Sequence, residues 1–430
     1  MIFITFLIFW SNEFVLDQNP NSNQYLPKSF QRGICENDFH IIISGYENPD
    51  FTKSRNFIYF KPFNGSWSTK KIPSQGDFFD EYPVILCDNN NFLYIFYQKL
   101  TKYLPYSIYY QVSSYPANYE DFKEPQRIYF GSEKISEIYL NSIIDKSGKI
   151  NIVFSSDSFG NFDVYHGIRI NPYYFEIKKI SFNGDNLFPQ IMEIKDTIYI
   201  FYLKIFPSNS YITLNKFKGN YKEIVLSSLG NDIENFFALP YFSSKIFLFY
   251  KNYESFCGAI YEISSGKIIN ISEILKEKNI YEINACCDSL GKIHLFFTKG
   301  LGEEKDIFYT YSFGDLNFSL PEQITFSPFP SYSPNSFYSK KENKIYIFWV
   351  DEREKGQGST FYSKIYYRYK TSSEEIFSLK PNFLKSEKIM KIYKNREIFD
   401  ISGRKIYLRG FKKGIIFIKE NDKFLKIVGI

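Results

Sequence analysis

Histidine is nearly absent from the sequence, with 3 in 430 residues, beside 5 cysteines, 3 methionines and 9 arginines. His40, His166 and His294 stand far apart. No CxxC pair or Cys/His cluster falls at zinc-ligand spacing, so no metal centre is expected. Cys35, Cys87 and Cys287 each precede an acidic residue at one place in a repeat described below. Equivalent repeat positions lie in different units, so pairing among them is not expected; they read as small buried hydrophobes, and a disulfide framework is not indicated. No run approaches 18 apolar residues, which excludes a transmembrane helix on sequence grounds. There is no G-x-S-x-G, no P-loop and no H-E-x-x-H, so neither catalytic residues nor a cofactor are assigned.

Charge is scarce where a polyanion would need it. Lys+Arg number 52 against Asp+Glu 47, a net of +5. Residues 386–430 alone carry twelve cations and five acids, which leaves residues 1–385 with 40 against 42 and a net of −2. A body without surplus positive charge cannot neutralise a phosphate backbone, so nucleic acid is excluded as a partner.

What the chain has in abundance is aromatic side chains: Phe 47, Tyr 37 and Trp 3, together 20%. Such residues suit a pleated, half-buried surface and point to strands. Length alone would suggest about two or three domains. The start, MIFITFLIFW, is too short to span a bilayer but fits the apolar region of a signal peptide; a buried first strand is the alternative.

A repeat organises the rest. His40-Ile-Ile-Ile, Tyr94-Ile-Phe-Tyr, Asn151-Ile-Val-Phe, Tyr199-Ile-Phe-Tyr, Phe247-Leu-Phe-Tyr, His294-Leu-Phe-Phe and Tyr346-Ile-Phe-Trp recur at a mean spacing of 51 residues. Periods of this size with several strands per unit signify a propeller or another array. Before each signature strand stand a turn and a shorter strand. The turns include Asp145-Lys-Ser-Gly-Lys and Asp288-Ser-Leu-Gly-Lys, where Asp caps the turn and Gly takes positive φ. After each come a variable loop, a third strand such as Lys364-Ile-Tyr-Tyr, and a more polar fourth. One four-stranded blade cannot bury both faces; neighbours around an axis can. The expectation is all-β: a seven-bladed, alternatively six-bladed, β-propeller over residues 20–380, between a signal-peptide-like segment (1–19) and a small β-sandwich-like domain (386–430).

Loops after the signature strands would line the channel mouth. Lys99, Lys204 and Lys299 share one repeat position there with Asp351, and Arg353 follows closely. These five are the candidate ligand-binding residues, for a glycan or protein ligand. A monomer is expected.

Phe348-Trp-Val-Asp-Glu-Arg followed by Lys364-Ile-Tyr-Tyr-Arg resembles the blades of sialidase-like (BNR-type) propellers. That resemblance implies a sialidase-like glycoside hydrolase as the alternative to a non-enzymatic binder. A hydrolase of this type needs three arginines converging on a carboxylate, and only Arg32, Arg353 and Arg368 could supply them. The nearest Asp-box, Ser155-Ser-Asp-Ser-Phe-Gly-Asn-Phe, departs from the S-x-D-x-G-x-T-W pattern by one extra residue and the missing Trp.

The end of the chain, Glu397-Ile-Phe-Asp-Ile-Ser-Gly-Arg, then Lys413-Gly-Ile-Ile-Phe-Ile-Lys, then Lys423-Phe-Leu-Lys-Ile-Val, is similar to the type A sorting domain of type IX secretion substrates. The resemblance implies a first hairpin turn at Asp400, Gly403 and Arg404, a strand opening at Gly414 and a terminal motif at Lys426. It also implies the type IX machinery as a partner and a secreted or cell-surface location. Ile416 stands where that family has an aromatic.

Overall fold

The computed structural model describes residues 2–6, 10–17, 21–49, 52–68, 79–100, 106–130, 139–157, 160–357, 360–372, 378–379, 397–400, 414–420 and 423–429. They form two compact units, Glu13–Arg368 and a second made of Met1–Asn12 with Tyr369–Ile430.

Each signature motif became the second strand of a blade, and there are seven blades. Blade 4 shows the plan: Asp185–Ile194 lines the axis, followed outward by Thr197–Phe206, Asn209–Phe217 and Tyr221–Val225, all antiparallel. The inner strands of blades 2, 3, 5, 6 and 7 are Phe79–Cys87, Leu140–Ile144, Ile233–Tyr241, Ile280–Cys287 and Ser331–Ser339. Their second strands are Leu93–Leu100, Ile150–Ser156, Lys245–Asn252, Ile293–Lys299 and Lys344–Asp351. The ring closes because Phe14–Val15 adds to the third strand of blade 7, with Phe14 opposite Tyr367 and Val15 opposite Tyr366.

The aromatic excess is consumed between strands and between blades. Cross-strand stacks join Phe96 to Tyr110, Phe154 to Tyr165 and Phe297 to Phe308 at centroid separations of 5.6, 5.3 and 6.0 Å. Such pairs contribute about 0.5–1.5 kcal/mol each beyond area burial. Apolar clusters fill the seams between successive blades, as where Phe201, Leu203 and Leu214 meet Phe236, Leu248 and Tyr261. The inner turns follow the capping expectation. Asp145 accepts the Ser147 and Lys149 amides, Asp288 accepts those of Leu290 and Lys292, and Gly148 and Gly291 hold φ of 80° and 83°.

Blade 1 departs from the plan. Its inner strand is split into Asn23–Tyr25 and Ile34–Glu36, both paired with the same edge of His40–Asn48, while Arg55–Pro62 takes the other edge. Residues 26–33 between the two halves leave the sheet.

Contrary to expectation, two of the cysteines are paired rather than free buried hydrophobes. Cys35 and Cys87 form a disulfide across Cα atoms 6.1 Å apart. Equivalent positions do lie in different blades, but inner strands converge on the axis, so their ends in adjacent blades become neighbours. Cys257, Cys286 and Cys287 are free.

In the second unit, Ser378–Leu379, Ile2–Phe6, Lys423–Gly429, Gly414–Glu420 and Glu397–Asp400 lie side by side in one antiparallel sheet. Asp400 faces Ile416, Gly414 begins its strand, and Lys426 faces Phe417 on one side and Thr5 on the other. Gly403 and Arg404 lie outside the described residues.

Candidate functional site

The excursion of blade 1 organises the axial channel. Residues 26–33 enter the axial channel; the Gly33 carbonyl still accepts the Ser44 amide of its own blade, but others among their backbone polar groups must find partners on other blades. Amide side chains from the inner strands meet them. Asn141 of blade 3 donates to the Phe30 carbonyl (2.8 Å) and accepts from the Arg32 amide (3.3 Å). Asn284 of blade 6 donates to Ser29 and Asn335 of blade 7 to Pro27. Gln31 in turn donates to the Leu140 carbonyl, and Ile85 of blade 2 donates its amide to Arg32. Four blades therefore grip one plug. Gly33 is required for it, because a Cβ there would come within 2.6 Å of Pro27 Cγ.

The plug divides the channel. Towards the loop end, where the second strands finish, lies a cavity of about 340 Å³ lined by Lys28, Phe30, Tyr139, Phe188, Glu234 and Tyr281 among others. Towards the end of the inner turns lies a larger one, about 520 Å³, and the Phe30 ring borders both.

The loop-end cavity has an aromatic floor. Phe30, Tyr139 and Phe188 pack mutually at 5.9, 5.3 and 4.7 Å, with interplanar angles of 61°, 65° and 57°. Phe188 sits at φ 56°, in the left-handed region, within a break of register between Leu187 and Gln190 and directly before Pro189. Tyr82 before Pro83 (φ 51°) and Ser333 before Pro334 (φ 54°) repeat this device in blades 2 and 7. A non-glycine residue in this region costs about 1–3 kcal/mol and persists only where the surroundings enforce it. Such bulges re-aim a side chain next to a site. Lys28 lies 5.1 Å above the Tyr82 ring. Glu282 accepts from Thr298 Oγ1 and from the Ser333 amide and hydroxyl. The recurrent aromatic- or Ser-Pro at inner-strand starts was visible in the sequence, but only the bulge shows where it aims.

The five residues singled out from the sequence do occupy one end of the propeller. Lys99 stands opposite Asp80, Lys204 opposite Asn186, Lys299 opposite Ile280 and Asp351 opposite Ser331. Each cation there has an acid. Lys99 Nζ is 3.7 Å from Asp80, Lys299 Nζ is 2.9 Å from Glu277, and buried Lys204 pairs with Glu223. Asp351 accepts Arg353 at 2.7 Å, Ser331 Oγ at 2.8 Å and Trp349 Nε1 at 3.3 Å. Arg353 also binds Glu13 at 2.8 Å, and Arg368 binds the other oxygen of Glu13 at 3.1 Å. Burial alone would lower the Arg353 pKa, but Asp351 and Glu13 outweigh it and hold it raised. The convergence of Arg32, Arg353 and Arg368 that a sialidase site requires is not formed. Arg353 and Arg368 clasp the closing segment of the ring, while Arg32 lines the turn-end cavity. Among the described residues, no group of three His, Cys, Asp or Glu could hold a metal ion.

No protein-family model matches the chain, and no curated protein matches it. Solved structures share the fold. The polysaccharide lyase Uly1 superposes with a TM-score of 0.57 at 9% identity, over 85% of this chain and 100% of that one. The Trypanosoma rangeli sialidase in complex with the inhibitor DANA gives 0.51 at 12%, over 89% of this chain but 61% of that one. A Dyadobacter fermentans protein of unknown function gives 0.50 at 8%, over 85% and 99%. The likeness is one of fold: a sialidase-like propeller.

Proposed function

We propose that this chain is an exported, non-catalytic propeller that binds a glycan at the loop-end mouth of its channel. The observation that carries the reading is the floor of Phe30, Tyr139 and Phe188, with Phe188 held in a costly backbone conformation beneath an open cavity. Flat apolar rings flanked by Lys28 and Glu234 match a sugar, which offers C–H faces for stacking and hydroxyls for hydrogen bonds. Structural neighbours named a polysaccharide lyase and a sialidase support a saccharide as the ligand class. The hydrolase reading is the weaker one, because Arg353 and Arg368 are neutralised by carboxylates.

Export is supported by the similarity of residues 397–428 to type A sorting domains and by the Cys35–Cys87 disulfide, a bond kept in oxidising compartments. Residues Ile2–Phe6, which read as a leader, also pair with Lys423–Gly429. Intact mass of the exported chain decides between those two roles.

The test of the binding reading is a glycan array probed with the full chain, followed by calorimetry of any hit with Phe188→Ala. A hit weakened about tenfold by the substitution is expected for a stacking anchor. An array without hits, or a variant that binds like the parent, overturns it. Release of free sugar from a sialoside, abolished by Arg353→Gln, would establish the hydrolase instead.

A further inference from the structure

The turn-end cavity lies on the far side of the plug from the glycan mouth and has a different chemistry. Its lining includes Arg32 and Lys340 but no Asp or Glu. The amide side chains that share this wall are spent. Asn141, Asn284 and Asn335 donate to the plug carbonyls, and Gln190 donates to the Phe236 carbonyl. Arg32 is bonded through its backbone, while among the described residues its guanidinium has neither a hydrogen-bond acceptor nor an ion-pair partner. The side chain reaches open space, yet it is crowded enough by the inner strands that desolvation lowers its pKa. The nearest acid along the chain, Glu36, is engaged with the Ser339 hydroxyl and the Lys340 and Lys341 amides.

The exposed guanidinium offers its five donors to an anion that enters the cavity. Planar donors in a fixed fork match the two oxygens of a carboxylate or sulfate, and the ammonium of Lys340 adds a second positive charge at the same wall. The volume, about 520 Å³, is within the range that takes a small ligand. We infer that the turn-end cavity is a binding site for a small oxyanion, held by the Arg32 guanidinium with Lys340 at its side. The site is independent of the mouth, because the plug and the Phe30 ring stand between them.

The experiment is calorimetric titration of the full chain in a chloride buffer of fixed ionic strength, with sodium sulfate, sodium phosphate and sodium glucuronate as probes. Saturable binding at one site per chain is expected for at least one probe. Preference for glucuronate over the inorganic ions would mark a sugar acid as the source of the oxyanion; the reverse order would mark a free inorganic anion. Arg32→Gln is expected to weaken binding at least tenfold and Lys340→Gln several-fold, whereas Phe188→Ala leaves it unchanged. No saturable heat with any probe overturns the site. So does a folded Arg32→Gln that binds like the parent, or a loss of anion binding in Phe188→Ala, which would move the anion to the mouth. Should Arg32→Gln fail to fold, Lys340→Gln decides: unchanged affinity there overturns the assignment.

Discussion

His166 shows how far a single side chain is determined by its neighbours. It is fully buried, with Nε2 3.1 Å from Asn151 Oδ1 and Nδ1 2.8 Å from the Tyr221 hydroxyl. The Asn151 amide group already donates to Asp145 and to the Lys149 carbonyl, so Oδ1 faces the imidazole and Nε2 must carry the proton. Burial lowers the His166 pKa from 6.5 to about 4. Between those values the unfolded chain takes up a proton that the folded one refuses. Stability from this residue is therefore complete above pH 6.5 and is lost as pH falls towards 4, by on the order of 3 kcal/mol. Urea denaturation across that window should show a steeper loss in the parent than in His166→Gln. Parallel curves would refute the assignment. From sequence this histidine was only an isolated residue; its environment comes from two other strands and a turn.

At the scale of the strand, the split inner element of blade 1 is the feature that sequence periodicity could not supply. Asn23–Tyr25 and Ile34–Glu36 are three residues each, too short to show alternation, and the excursion between them is held by side chains more than 100 residues away. The Cys35–Cys87 bond ties this broken strand to blade 2 across a sequence separation of 52. Closing a loop of that length stabilises by about 4 kcal/mol in the chain-entropy account, with 2–5 typical on removal from small domains. The double variant Cys35→Ala, Cys87→Ala should lose stability of that order, and reductant should destabilise the parent but not the variant. Alkylation in denaturant gives an independent reading: three thiols, Cys257, Cys286 and Cys287, should react before reduction and five after it. Five before reduction would show that the bond is not formed.

For the whole molecule, ring closure and address are the two questions. Closure falls to Phe14–Val15, reinforced by the Glu13 carboxylate shared between Arg353 and Arg368. Both arginines are thereby paired with carboxylates. Address, in the proposed reading, would rest on the second unit. Deleting residues 386–430 in the native host should leave the propeller inside the cell envelope while the full chain reaches the surface or medium. Equal export of both forms, measured by fractionation, would show that the tail is not a sorting signal.

Residues alone pointed to a ring of seven blades, with six as the alternative that the structure removed, and they marked every second strand and the capped turns. Those depend on contacts a few positions apart and on a period repeated seven times, so each unit restates the same signal. The tertiary structure alone decided what the axis holds. Convergence of the inner strands turned equivalent cysteines into neighbours, and the blades set Lys99, Lys204 and Lys299 against acids on the adjacent strand, the fourth strand and an entry loop. Convergence also set the plug, the Phe30–Tyr139–Phe188 floor and Arg32, whose guanidinium has no partner among the described residues, at the axis of the ring. A linear pattern records which face of a strand is apolar, but not what its end confronts across a closed ring.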